Sequence, residues 1–297
     1  MLDWSTLEVF LAAARSGSFA RGAESLGLNT STVQRQVTRL ESQLETQLVI
    51  RTARGLRLTE AGAVLMEHAS TIEEEVLALH RRVTSHDTRL TGTIRVSTVD
   101  DVGLVLLMPL IEGFRQRYPE LTVHLTVESA RVRLEQSGVD VALRIGARPD
   151  QPDVVVHRLG DLHVGLYGSR RYLKSHPPPA RLEELSKHDV IRCAELLRWT
   201  PMERMMEKHS DPSRTALRSD SLLVQAAAIQ SGLGIGFVGH FLRSLFPRLV
   251  PIDIELPPLL GPAWLVIHAD LRRNARVRAF VEYVKDQLVT QLADQPP

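Results

Sequence analysis

A chain of 297 residues is long enough for about two domains, each able to bury its own core. With 43% apolar and 24% charged residues, and no apolar run near the roughly 18 residues that a bilayer span requires, it reads as a globular protein rather than a membrane one. The net charge of +1 names no partner, and a single cysteine excludes both an intrachain disulfide and a cysteine-based zinc site.

At the N-terminus Leu7, Phe10, Leu11 and Ala14 recur at helical spacing. With no basic stretch ahead of them, they read as an amphipathic helix rather than a signal peptide, and the expected compartment is the cytoplasm. Gly17 and Ser18 break this helix, and Ser18 caps a short second one with Ala20, Ala23 and Leu26 on its apolar face. Gly27-Leu28-Asn29 makes a tight turn, and Asn29 opens a third helix that runs to about Leu44. Val33, Val37, Leu40 and Leu44 form its buried stripe, while Thr30, Ser31, Gln34, Arg35 and Thr38 lie mostly on the other side. Two helices joined by a short glycine-containing turn, the second polar outward, form a helix-turn-helix.

The next stretch, "LVIRTARGLRLT", predicts a two-stranded wing with Arg51, Arg54 and Arg57 projecting. Between residues 35 and 57, Arg35, Arg39, Arg51, Arg54 and Arg57 face only Glu41 and Glu45. The local charge is therefore positive, which suits a surface that follows DNA phosphates. The plainer alternative is a solvated helix and hairpin with no ligand; the wing and the clustered arginines weigh against it.

Ala23, Leu26, Val33, Arg35, Gln36, Val37, Leu40, Glu41 and the run from Arg51-Thr52 to Gly62 carry a resemblance in order and spacing. This segment resembles the N-terminal winged helix-turn-helix of LysR-type transcriptional regulators. It departs from the family where Asn29-Thr30-Ser31 replaces a common Ser-Gln-Pro or Ser-Gln-Ser, where Gln34 replaces a frequent serine, and where Val49 replaces the usual Phe. These departures bear on which operator is read. The candidate DNA contacts are Thr30, Ser31, Thr32, Gln34, Arg35 and Arg39 on the helix, with Arg51, Arg54 and Arg57 on the wing.

From Thr59 to about His86, Leu65, Ala69, Ile72, Val76, Leu79 and Val83 are spaced 4-3-4-3-4, the seam of a short coiled coil. The alternative is a long helix lying on its own domain. The resemblance implies dimerisation through this linker helix, hence a homodimer or homotetramer on a partly palindromic double-stranded operator, with RNA polymerase as a partner at the promoter. Ser85 to Gly92 reads as a hinge.

From Thr93 short apolar runs ("TIRVS", "LTVHLTV", "VDVALRIG", "VVVHRL", "HVGLYGS") alternate with helical segments such as Leu104–Arg117, predicting an α/β fold with a mostly parallel sheet. "QAAAIQSGLGIGFV" and "RVRAFVEYVKDQL" are among the segments that resemble the LysR-type effector domain, which shares the two-lobed fold of type 2 periplasmic binding proteins. The expected organisation is a winged helix-turn-helix over 1–58, a linker helix and hinge over 59–91, and an effector domain over 92–297. Within the last, lobe I covers about 92–160 and 264–297, and lobe II about 161–263.

Gly234-x-Gly236-x-x-Gly239 matches the dinucleotide-binding pattern, with Asp253 and Glu255 about where a ribose-binding acid would stand. Such a loop must follow a strand and open a helix. Here it follows the helical stretch "DSLLVQAAAIQ", so Gly232 reads as a helix cap and no cofactor is expected. Effectors in two-lobed domains bind between the lobes, at strand C-termini and helix N-termini. The candidates are Ser97, Thr98, Asp100, Arg144, Arg198, Thr200 and Gln225. Asp100 and Asp101 depart from the family's habit of offering hydroxyls to anionic effectors, and either repel an anion or cap Leu104–Arg117. Arg144 is either a ligand arginine or part of an interlobe ion pair. Cys193 is either a redox sensor or a buried, inert thiol.

The eleven histidines show no metal-binding spacing, and no nucleophile has a readable partner, so neither a metal nor a catalytic site is expected. The function expected is a small-molecule-controlled regulator that binds DNA. Its rivals are a solute-binding or transport protein using only the C-terminal fold and an enzyme on an α/β scaffold.

Overall fold

A computed structural model describes residues 2–53, 55–85, 87–127, 138–198, 200–257 and 259–293. The chain divides into two compact units, Met1–Val83 and Thr84–Pro297.

The first unit opens with α1 (Trp4–Ser16), α2 (Phe19–Leu26) and α3 (Thr30–Leu44). Asp3 and Ser18 cap the first two, accepting from the backbone N–H of Thr6 and Arg21; Asn29 holds the cap position of α3 without a side-chain bond. Helix α2 approaches α1 at Gly22, where a Cβ would lie 2.8 Å from the Ala13 backbone. Gly22 and Ala23 therefore face the core, and Ala20, expected on the apolar face, is exposed. Phe10, Leu11, Val33, Val37 and Leu40 fill the centre of this unit. Strands β1 (Val49–Thr52) and β2 (Gly55–Leu58) pair antiparallel, Val49 opposite Leu58. The 25-residue α4 (Glu60–Thr84) then contributes Ala69 to the same core. Farther along α4, Leu79 and Val83 are 62% and 73% exposed, so the apolar seam is open on this protomer.

In the second unit β3 (Gly92–Thr98) is followed by one continuous helical run: α5 (Asp100–Val102), a π-helical turn Gly103–Leu107, and α6 (Met108–Arg117). β4 (Leu121–Val127) and β5 (Val141–Ile145) flank β3, both parallel to it. The long β6 (Val154–Ser169) leads to α7 (Arg170–Ser175), β7 (Val190–Cys193), α8 (Pro201–His209), β8 (Thr215–Ser219) and α9 (Leu222–Ser231). β9 (Gly236–Gly239), β10 (Leu249–Pro251), β11 (Leu260–His268) and α10 (Ala275–Ala293) complete the order. The main sheet runs β10-β6-β11-β5-β3-β4, with β9 also on β6, while β7 and β8 form a separate parallel pair.

The expectation of a mostly parallel sheet is corrected. Among the described residues, three strand pairs of this unit are parallel and four antiparallel. The cause is β6: "VVVHRL" and "HVGLYGS" are one strand of 16 residues. It lies antiparallel to β11 along its first part and to β9 and β10 along its last. Gly160 lets the strand continue, with φ +148°, against Leu292, which a Cβ there would meet at 2.9 Å. β6 thus serves three cores. One gathers Ile94, Phe114, Leu143, Leu265 and Phe280; the others gather Leu166, Tyr172 and Phe237, and Tyr167, Ile229 and Leu242.

Candidate nucleic-acid interface and ligand cleft

Helix α3 turns Val33, Val37 and Leu40 inward. The helical period then places Thr30, Ser31, Arg35, Thr38 and Arg39 in solvent, with Thr32 and Gln34 half-buried. Hydrogen bonds from Ser5 and Thr6, aided by the Arg39 charge, hold the Asp3 carboxyl below its ordinary range. On the wing, Arg51 and Arg57 are exposed, and the Arg51 guanidinium lies 5.2 Å from the centre of the Phe19 ring. Arg54 falls outside the described residues.

The wing is fastened to the helices by hydrogen bonds of its backbone. Glu41 of α3 accepts from the N–H groups of Leu48 (2.8 Å) and Val49 (3.2 Å), just where β1 begins. Leu56 of β2 donates to the Gly17 carbonyl at 2.8 Å, beside the turn between α1 and α2. Thr59 caps α4 by accepting from the Gly62 N–H, and its hydroxyl donates to the Gln47 carbonyl. Gly62 sits against the Leu48 carbonyl, which a Cβ would meet at 2.0 Å. Arg15 of α1 binds Glu73 of α4 through both guanidinium nitrogens, at 2.6 and 3.1 Å. A polar, arginine-bearing ridge thus stands beside a rigidly held arginine hairpin.

In the second unit a cavity of about 400 Å³ opens between the two halves of the sheet. Val99, Val127 and Ile145 reach it from strand ends of one half, and Met202, Phe237 and Leu259 from the other. Its polar groups gather at helix starts: Asp100 and Asp101 on α5, Thr200 capping α8, and Asp220 with Ser221 opening α9. The Ser221 hydroxyl donates to Asp100 Oδ2 at 2.7 Å, while Asp100 Oδ1 accepts from the Asp101 N–H. Asp101 is 3% exposed. Burial pushes its carboxyl up to about 6, against the lowering effect of the Val102 N–H and with a further rise from the Asp100 charge. Neither a lysine nor an arginine is among the described lining residues.

The comparisons agree with this geometry. A family model described as bacterial regulatory helix-turn-helix protein, lysR family, matches residues 4–63, and one for the LysR substrate binding domain matches residues 87–289. The chain belongs to the LysR family of bacterial regulators. It is 31% identical to the HTH-type transcriptional regulator CrgA of Neisseria meningitidis, over 96% of this chain and 97% of that protein. The solved structure of CrgA, 28% identical, superposes with a TM-score of 0.57 over 97% of this chain and 99% of its own. The full-length Vibrio cholerae virulence activator AphB, at 24% identity, shares the fold with a TM-score of 0.67, over 95% and 98% of the two chains. This LysR-type protein is therefore a DNA-binding transcriptional regulator with a substrate-binding effector domain.

Of the effector residues expected from the sequence of this regulator, Asp100 and Thr200 line the cleft. The helix that Asp100 begins starts four residues earlier than the expected Leu104. Five others stand elsewhere. Arg144 points to the face of β5 opposite Ile145, where its guanidinium donates to the Ser97 carbonyl (3.1 Å) and hydroxyl (2.9 Å). This pairing also occupies Ser97. Thr98 is fully buried, with its methyl against Gly103 and its hydroxyl without a hydrogen-bond partner among the described residues. Arg198 is exposed and pairs with Glu195, and Gln225 donates to the Ser219 carbonyl at 2.7 Å. Asp220, Ser221, Met202 and Phe237, which no sequence motif marks, also line the cleft. The rule that pointed to Asp100, a ligand site at a helix start, also points to Asp220-Ser221 ahead of Leu222.

Gly232, with φ +91°, caps α9 as expected, and Gly234 passes so close to β7 that a Cβ would lie 2.2 Å from the Asp189 carbonyl. These glycines serve close packing of a helix and a strand. Cys193 is buried, its thiol pushed up to about 11 chiefly by burial. Among the described residues there is no cluster of His, Cys, Asp and Glu able to hold a metal ion, and no helix long and apolar enough to cross a membrane.

Proposed function

We propose that α3 enters the major groove of double-stranded DNA, with Thr30, Ser31, Thr32, Gln34, Arg35 and Arg39 toward the bases and adjacent phosphates. Arg51, Arg54 and Arg57 of the wing contact phosphates or the minor groove. Two protomers join along the seam of α4, which presents the paired recognition helices to a partly palindromic operator, as a homodimer or homotetramer in the cytoplasm, with RNA polymerase at the promoter. A small molecule bound in the cleft stabilises one arrangement of the two halves over another, and so shifts the population of operator-competent assemblies.

The observation that carries this reading is the outward face of α3: an exposed polar row holding Arg35 and Arg39 on a helix that buries Val33, Val37 and Leu40 on its other side. Selection of genomic DNA fragments by the purified protein tests it, with salt titration of the best fragment. Enriched sites should be partly palindromic, with affinity falling steeply as salt rises. Arg35→Ala should weaken operator binding by about 1–3 kcal/mol, the worth of one good base contact, while binding to scrambled DNA changes little. An unchanged preference for operator over scrambled DNA would remove Arg35 from the reading face.

A further inference from the structure

The cleft of the second unit is walled by apolar side chains that do not complete their burial against one another. Val99, Ile145, Val164, Met202 and Phe241 all line it, and all keep part of their surface open in the middle of a folded unit. Apolar surface left in water costs free energy in proportion to its area. The facing walls stand too far apart to remove that cost by touching, and they leave about 400 Å³ between them.

The polar side chains of the cleft are already engaged within the protein. The Thr200 hydroxyl donates to the Leu197 carbonyl at 2.8 Å and accepts from the Glu203 N–H at 3.3 Å. The Ser221 hydroxyl donates to Asp100 and accepts from the Val224 N–H at 3.4 Å. Both Asp100 oxygens accept a bond, Asp101 accepts from the Val102 N–H, and Asp220 has an interaction of its own. A carboxylate entering the cleft would shed its water among donors already in use and beside three aspartates. A cation would compete for carboxylates that Ser221 and backbone N–H groups hold. An uncharged apolar molecule sheds little hydration and withdraws the open walls from water along with its own surface. A cavity of about 150 Å³ holds one benzene ring. The larger volume here suits a skeleton of two rings.

Resting on the reading of this cleft as the effector site, we infer that the effector is an uncharged, apolar molecule of two-ring size, held by burial between the walls rather than by an ion pair. Its contacts reach from Val99 and Ile145 on one half to Met202 and Phe237 on the other. Binding therefore favours the arrangement in which Ser221 and Asp100 meet.

The test uses the full-length protein and three probes of one skeleton: 2-naphthylmethanol, 2-naphthoate, and 2-naphthylmethylamine, which is an ammonium ion at neutral pH. Calorimetric titration and thermal unfolding are read for each, in the wild type and in Val127→Trp and Leu260→Trp, which narrow the cleft at two exposed lining positions. The alcohol should bind at least about tenfold more tightly than either charged probe, with a negative heat-capacity change. Each tryptophan should weaken it by at least about fivefold. Carboxylate or ammonium binding equal to or tighter than that of the alcohol, and weakened by the tryptophans, would overturn the uncharged effector and leave the cleft as the site. Absence of binding by every probe, or binding indifferent to both tryptophans, would overturn the cleft reading along with it.

Discussion

Replacing Asp101 by asparagine removes a negative charge that the folded protein holds at a cost. The carboxyl is raised from 3.8 to about 6, chiefly by burial, so it favours the folded state only while protonated. Its contribution is fully present below about pH 4 and is lost as pH rises through 6. Two pH units at about 1.4 kcal/mol each make the ionised Asp101 destabilising by about 3 kcal/mol at pH 7.5. Asparagine keeps the size and one carbonyl acceptor for the backbone N–H groups. Asp101→Asn should therefore stabilise the unit Thr84–Pro297 by up to about 3 kcal/mol at pH 7.5 and by little at pH 4. Urea unfolding of the full-length protein at a series of pH values, followed by tryptophan fluorescence, gives the difference directly. Carboxylates common to both proteins cancel in it. A variant–wild-type difference that stays flat from pH 4 to 7.5 would refute the argument, because it would mean that Asp101 is fully compensated in the folded state.

The remaining predictions concern the other unit and the thiol. Glu41→Ala should loosen the wing by leaving the Leu48 and Val49 N–H groups unsatisfied, at a cost of about 1–3 kcal/mol in the unit Met1–Val83 and a larger fractional loss of hydrogen-exchange protection at those two amides than elsewhere. Leu79→Asp, on the open seam of α4, should shift sedimentation toward monomer without lowering helix content by circular dichroism; unchanged assembly would show that the seam is not the interface. Cys193, with its thiol pushed up to about 11, should hold roughly one thiolate in several thousand molecules at pH 7.5. Its labelling by a disulfide reagent should therefore be slow in native protein and fast in urea, and peroxide should leave operator binding unchanged.

The helices and wing of the first unit are legible in the sequence because local rules set them. Val33, Val37 and Leu40 repeat at the helical period, Ser18 and Gly17 mark boundaries, and "RTARG" sits between two alternating runs. Ala20 fails the same treatment, because the crossing of α1 and α2 is decided by the missing Cβ of Gly22, which lies two residues on and so on the opposite face of the helix. In the second unit the elements are again legible, but not their directions. Periodicity says that "VVVHRL" and "HVGLYGS" are extended, and says nothing of whether the chain turns at Gly160 or runs on. Running on is what makes most of the strand pairs antiparallel.

Charge and residue type along the chain were enough to place an exposed, arginine-bearing helix and wing within residues 30–57 and two adjacent carboxylates at the start of a helix. Which polar residues meet in the cleft is different, because it depends on which face of a strand a side chain occupies and on contacts between residues far apart in the sequence. Arg144 and Ile145 are neighbours in the chain, and strand alternation sends one to Ser97 and the other into the cavity. Asp100 and Ser221 are 121 residues apart, and only the packing of two helix N-termini against each other brings them to 2.7 Å.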